Sequence, residues 1–84
     1  MKLTFAEKGW EHYVQWVEND RTILKKVNRL IQECQRHPFE GTGKPEPLRG
    51  DYSGHWSRRI DREHRLVYRV DGDSLIIVQC RFHY

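Results

Sequence analysis

The apolar positions change their spacing once along the first 36 residues, and the second spacing is then repeated. Lys2 to Phe5 alternates, with Leu3 and Phe5 on one side, which predicts a short first strand. From Glu7 the period lengthens. Trp10, Tyr13, Val14 and Val17 recur at i, i+3, i+4 and i+7, the stripe of an amphipathic helix, with Glu11, Gln15 and Glu18 opposite. These four apolar side chains are expected in the core. Ile23, Val27, Leu30, Ile31 and Cys34 form a second helical stripe, and Asn19 or Asp20 can accept hydrogen bonds from its free first-turn N–H groups. Pro38 disfavours helical geometry at His37, so this helix is expected to end near Arg36. The tight connection makes the two helices antiparallel neighbours.

From Pro38 to Gly50 the composition shifts to Pro38, Gly41, Gly43, Pro45, Pro47 and Gly50, which suits neither a regular helix nor a central strand. A loop of about a dozen residues in so short a chain is more often functional than idle. Three strands follow, Trp56 to Ile60, His64 to Val70 and Leu75 to His83, linked by Asp61-Arg62-Glu63 and Asp71-Gly72-Asp73. If three residues close each hairpin, Leu66 faces Val78 and Tyr68 faces Ile76, and these join Cys80 and Phe82 on the core side. Arg59, Arg65, Gln79, Arg81 and His83 then line the opposite face. The expected architecture is α+β, in the order β-α-α-β-β-β, with two helices on one face of a small, mostly antiparallel sheet.

The 84 residues suffice for one domain, covering 1–84, and its core must be thin. Hydrophobic residues make up 37% and charged residues 32%, too polar a mix for a membrane protein and too aromatic for a disordered one. No apolar run is long enough for a secretory leader or a membrane span. Cys34 and Cys80 do not make a disulfide framework, so the cytoplasm is the expected compartment. The net charge is only +3, but ten of the fifteen basic residues are arginine, the side chain suited to bidentate phosphate contacts. Arg21, Lys25, Lys26, Arg29 and Arg36 stand against a single Glu33 on the second helix, a face that suits either a polyanion or plain solvent.

Several familiar sites fail on spacing. Gly41-Thr42-Gly43-Lys44 resembles the end of a phosphate-binding loop but lacks its length, has no strand before it and is followed by Pro45. Cys34-x-x-His37 and Cys80-x-x-His83 hold potential zinc ligands, yet positions three apart on a strand point to opposite faces. No cofactor is expected. Both cysteines end apolar series and are read as core, while His12, His37, His55 and His64 are expected in solvated positions. What remains is Glu46 in the Pro/Gly loop, arginines on the exposed sheet face, and His83 with Tyr84 at the end. A carboxylate base, an imidazole acid and a cationic phosphate clamp are the parts needed to cut RNA through its own 2′-OH.

Four segments then carry a resemblance: Pro38-Phe39-Glu40-Gly41-Thr42-Gly43-Lys44-Pro45-Glu46-Pro47-Leu48, Ser53-Gly54-His55-Trp56-Ser57-Arg58-Arg59-Ile60, Glu63-His64-Arg65-Leu66-Val67-Tyr68 and Cys80-Arg81-Phe82-His83-Tyr84. In order and spacing they closely resemble the YoeB toxins of the RelE/ParE superfamily, over nearly the whole chain. The resemblance implies a ribosome-dependent messenger-RNA endonuclease, with the 70S ribosome and mRNA as partners. It also implies an antitoxin of the YefM kind, and homodimers occur in the family. It assigns Glu46 as general base, Arg65 as phosphate stabiliser, His83 as general acid and Tyr84 as the terminal positioning residue. Lys44, Arg49, Arg59 and Arg81 are expected to hold the transcript, and Arg21, Lys25, Lys26 and Arg29 to contact ribosomal RNA. Arg49 stands where the family often has Lys, and His55 where an apolar residue is more usual. Two other readings use the same fold: a ParE-like gyrase inhibitor, against which Glu46 and His83-Tyr84 argue, and a plain RNA-binding module.

Overall fold

In the computed structural model, which describes residues 1–83, the two periodic stretches are helices α1 (Glu7–Asn19) and α2 (Arg21–Arg36). Asp20 divides them. Its extended backbone breaks the helical run, its N–H closes α1 on Trp16 O, and its carboxylate accepts from Ile23 N–H at 3.0 Å to cap α2. The second helix ends at Arg36, with His37 N–H bonded to Glu33 O, as Pro38 requires.

Among the described residues five strands make one sheet: β1 (Lys2–Phe5), β2 (Glu46–Pro47), β3 (Trp56–Arg59), β4 (Arg65–Asp71) and β5 (Ser74–Gln79), in the spatial order β1-β5-β4-β3-β2. Only β1 runs parallel to its neighbour β5; the other pairings are antiparallel. The architecture is therefore the expected α+β, with one addition. The Pro/Gly loop contributes the two-residue strand β2 at the sheet edge, where Pro47, without an N–H, removes no bond from a central ladder. No helix among the described residues is long and apolar enough to cross a membrane.

The helices cover the sheet face that carries Leu66, Tyr68, Leu75 and Ile77, and Val27, Leu30, Ile31 and Cys34 complete the core from α2 as expected. On α1 the expected stripe is displaced. Gly9, His12 and Trp16 are the buried residues, whereas Trp10 and Val17 are 53% and 49% exposed. The cause is the close approach of α1 to β5: a Cβ on Gly9 would lie 2.3 Å from Ile77 O, so the helix meets the sheet along its glycine side. Trp10 instead packs at the margin, against Tyr13 and Phe5.

The β4–β5 hairpin also departs from expectation. Its loop is two residues, Gly72-Asp73, because Asp71 pairs with Ser74. That one-residue difference turns Leu75 and Ile77 to the core in place of Ile76 and Val78. A bulge at Val78 then resets the register, with Val67 opposite Gln79, and returns Cys80 to the core side as expected. The strand ends at Gln79, not His83, and Phe82 is half exposed with φ +64.

Candidate active site

Cross-strand partners share a face, so the pairings Glu46↔Ser57, Ser57↔Val67 and Val67↔Gln79 run a row of side chains across the sheet on the side away from the helices. Arg59 and Arg65, themselves cross-strand partners, lie two residues from that row and therefore on the same face. Glu46 and Arg59 are exposed and Arg65 is half-buried. Two strand spacings separate β2 from β4, about 10 Å. Arg65 is also offset by two residues along the strands from the Glu46 row, so a ligand reaching both would lie across β3.

Arg65 is held by the β3–β4 loop. Asp61 Oδ1 accepts from Glu63 N–H at 2.9 Å and His64 N–H at 2.7 Å, a local turn of the kind aspartate forms with its own backbone. The turn directs carbonyls inward, and Arg65 Nη1 donates to Asp61 O at 2.8 Å and His64 O at 3.0 Å. The guanidinium is thereby held before any ligand arrives. On the main chain, Arg65 N–H donates to Phe82 O at 3.0 Å, which brings the end of the chain alongside β4, with His83 one residue beyond the bond.

The loop that carries Glu46 is anchored from below by Arg58, fully buried on the helix side of β3. Its guanidinium donates to Tyr68 Oη at 3.2 Å, Glu33 Oε1 and Thr42 O at 3.1 Å, Glu40 O at 2.8 Å and His37 O. Burial works against the charge on Arg58, but the Tyr68 hydroxyl, Cys34 and Glu33 outweigh it and raise its pKa. Glu33 is held below the usual carboxylate range, first by Thr42 N–H at 2.6 Å and also by Arg58. Burial pushes the Tyr68 phenol up to about 12, so it remains a donor, and it bonds Pro38 O. Beyond this anchor, Arg59 N–H donates to Gly43 O at 2.7 Å, and the strap from Gly43 to Pro47 continues along β3.

Two glycines permit the anchor. Gly41, at φ +116, has no room for a side chain, since a Cβ would lie 1.9 Å from Glu33 Oε1. Gly43, at φ +86, passes just above Arg58 Cβ. The loop is thus built around Arg58 and Glu33, two residues that sequence reasoning did not place in the site. Alternation held the signal for the first, because Arg58 shares its strand side with Trp56 and Ile60.

The other expected residues divide between exposed and structural positions. Lys44, with φ +52, and Arg49 are exposed on the strap and on the loop after β2. Arg21, Lys25, Lys26 and Arg29 are exposed along α2, although Lys26 Nζ donates to Ile60 O at 3.0 Å. A cavity of about 160 Å³ lined by Lys26, Arg29, Leu30, Thr42, Arg59 and Ile60 joins this helix to the sheet. Arg81 does not join the open face. The chain turns after Gln79, and Arg81 bonds Gln15 Oε1 and lies over the Trp16 and Phe82 rings. Tyr84 lies outside the described residues.

Two histidines expected in solvent are buried. His12 and His64 are 8% and 7% exposed, and each accepts a backbone N–H from the final segment. Their positions were legible: His64 alternates with Leu66 and Tyr68, and His12 stands four residues before Trp16. Burial, then Lys8 and Arg81, pull the His12 pKa below 6.5, so it is neutral at physiological pH. Cys34 and Cys80 are core residues as expected, with burial pushing their thiols up to about 11 and about 12.

A two-helix α+β protein with a carboxylate and paired arginines on its open sheet face, and a final segment bonded alongside β4, belongs to a recognisable class. The family model for the YoeB-like toxin of bacterial type II toxin-antitoxin system matches residues 5–84. The chain is 60% identical to Toxin YoeB of Streptomyces coelicolor over 84 residues, all of both chains. A YoeB/ParE toxin from Agrobacterium tumefaciens has the same fold, with a TM-score of 0.97 at 51% identity and full coverage of both chains. YoeB of Staphylococcus aureus, 41% identical, matches as a heterotetramer with YefM at a TM-score of 0.91 and as a dimer at 0.92, over 100% of this chain and 98% of that one. This chain belongs to the YoeB-like toxins of bacterial type II toxin–antitoxin systems.

Proposed function

We propose that this toxin is a ribosome-dependent endoribonuclease that cuts messenger RNA in the ribosomal A site and is neutralised by a YefM-like antitoxin. The observation that carries the reading is the common sheet face of Glu46, Arg59 and Arg65, with the backbone of Phe82 bonded to Arg65 so that His83 follows beside it. Glu46 takes the proton of the 2′-OH, and the freed oxygen attacks the adjacent phosphorus in line. Arg65 and Arg59 neutralise charge on the phosphorane, and His83 protonates the departing 5′-oxygen. Tyr84 enters on the family resemblance alone. Lys44 and Arg49 hold the transcript, and Arg21, Lys25, Lys26 and Arg29 meet ribosomal RNA phosphates. The working compartment is then the cytoplasm.

The test is end-mapping of a defined transcript incubated with the protein, naked and on 70S ribosomes with an open A site. A cut in the A-site codon only on ribosomes, with a 5′-hydroxyl on the downstream fragment, is expected. Glu46→Gln and His83→Gln are each expected to slow cleavage by about 10²- to 10⁴-fold with ribosome binding kept. Intact RNA under both conditions overturns the nuclease reading and favours the gyrase inhibitor or the binding module.

A further inference from the structure

The end of the chain is held by imidazoles from two separate elements. His12 Nδ1, on α1, accepts from Cys80 N–H at 3.2 Å, and His64 Nδ1, in the β3–β4 loop, accepts from Phe82 N–H at 2.8 Å. Trp16 Nε1 donates to Cys80 O at 2.8 Å, and Arg65 N–H holds Phe82 O. A backbone N–H can only donate. Both Nδ1 atoms must therefore be unprotonated, and a neutral ring then carries its proton on Nε2. Glu63 Oε1 lies 3.7 Å from His64 Nε2, on the side where that proton sits.

The restraint has a purpose in the backbone. Phe82 sits at φ +64, a left-handed conformation that residues with side chains avoid unless their surroundings impose it. Its N–H and C=O are both taken, by His64 and Arg65, and its ring meets those of His12 at 5.9 Å and His64 at 6.1 Å. The turn at Phe82 sets the direction in which the next residue leaves.

We propose that His12 and His64, as neutral Nε2–H imidazoles, are positioning residues that fix the backbone of Cys80 and Phe82 and so aim His83 at the scissile phosphate. The inference rests on the nuclease reading above. Protonation of either ring replaces an acceptor with a donor facing a donor. His12 meets Lys8 and Glu11 of its own helix, Arg81 of the final segment and His64 across the cluster; His64 meets Asp61 and Glu63 of its own loop and His12. Burial, Lys8 and Arg81 outweigh Glu11 and keep His12 neutral. Loss of either acceptor frees the segment and misdirects the acid while Glu46 and Arg65 stay in place.

The test uses the full chain on programmed ribosomes. His64→Leu removes the acceptor and is expected to lower kcat by about 10²-fold with KM for the ribosome unchanged, the loss typical of a small misplacement of a reacting group. Asn places an amide oxygen near the position of Nδ1, so His64→Asn is expected to restore most of kcat. Independently of activity and of variant folding, the imidazole ¹⁵N shifts of the wild type at about pH 7.5 are expected to report Nε2–H for both rings. A ring protonated at Nδ1, or wild-type kcat in folded His64→Leu, overturns the inference alone. Intact RNA with the wild type overturns the nuclease reading and the positioning role with it.

Discussion

Replacing Arg58 by Met removes one fully buried guanidinium and keeps most of its apolar volume. Three carbonyls, of His37, Glu40 and Thr42, lose their donor together with the Tyr68 hydroxyl, and Glu33 keeps only Thr42 N–H among the partners described above. If the loop stayed in place, each stranded, partly buried carbonyl would cost up to roughly 1–3 kcal/mol. Glu33 is partly exposed and the loop lies at the surface, so residues 37–42 can swing out and hydrate. The expected loss is therefore about 3 kcal/mol, the lower end of what breaking a buried charge pair costs. A domain of this size loses roughly 4–8 °C of melting temperature per kcal/mol, which gives a shift of about 12–24 °C. Urea and thermal denaturation measure the loss, and amide exchange at Thr42 and Arg59 tests whether the strap is the part released. Arg58→Lys, with three donors on one nitrogen, cannot span the same partners and is expected to fall between. A Met variant within about 1 kcal/mol of wild type, with both amides still protected, would refute the argument that this buried cation organises the Glu46 loop.

Three other outcomes follow from the packing and the charges. Gly9→Ala sets a methyl 2.3 Å from Ile77 O and is expected to push α1 off β5 at about 1–3 kcal/mol, read from the urea midpoint; an unchanged midpoint contradicts the close approach. The Glu33 carboxyl is below 4.5 in the folded chain and near 4.5 in the unfolded one, so the unfolded state binds more protons between the two. The stability it contributes is present above about pH 4.5 and lost as pH falls toward the folded pKa, and Glu33→Gln is expected to flatten the acid limb of the stability curve. The Cys34 and Cys80 thiols, pushed up to about 11 and about 12 by burial, are expected to react with a thiol reagent near pH 8 only as fast as the protein opens; rapid reaction of the native chain would show that they are not core residues.

Local periodicity determined the helices, their junction and the strand count after residue 55, because each depends only on neighbours within a turn or a pleat, and the common side of Arg59 and Arg65 followed once the length of the loop between their strands was assumed. The Pro38–Gly50 composition likewise marked an irregular segment, and its attachment as edge strand β2 agrees with Pro47 lacking a donor. Tertiary structure decided what faces what. The periodicity of α1 put Trp10 in the core, but Trp16 is the buried tryptophan, and the choice fell to Gly9, whose missing side chain lets β5 approach. The register of β5 depended on a two-residue turn and a bulge at Val78, neither visible in alternation alone, and it placed Leu75 and Ile77 in the core. Arg58, His12 and His64 are polar letters that composition assigns to solvent. They are buried because each meets several partners that the fold brings from distant positions: Glu33 and the 37–42 carbonyls for Arg58, and the N–H groups of Cys80 and Phe82 for the histidines. A buried polar side chain is tolerated where its hydrogen bonds are met, and in a chain this short those partners exist only after the loop and the final segment have closed over the sheet.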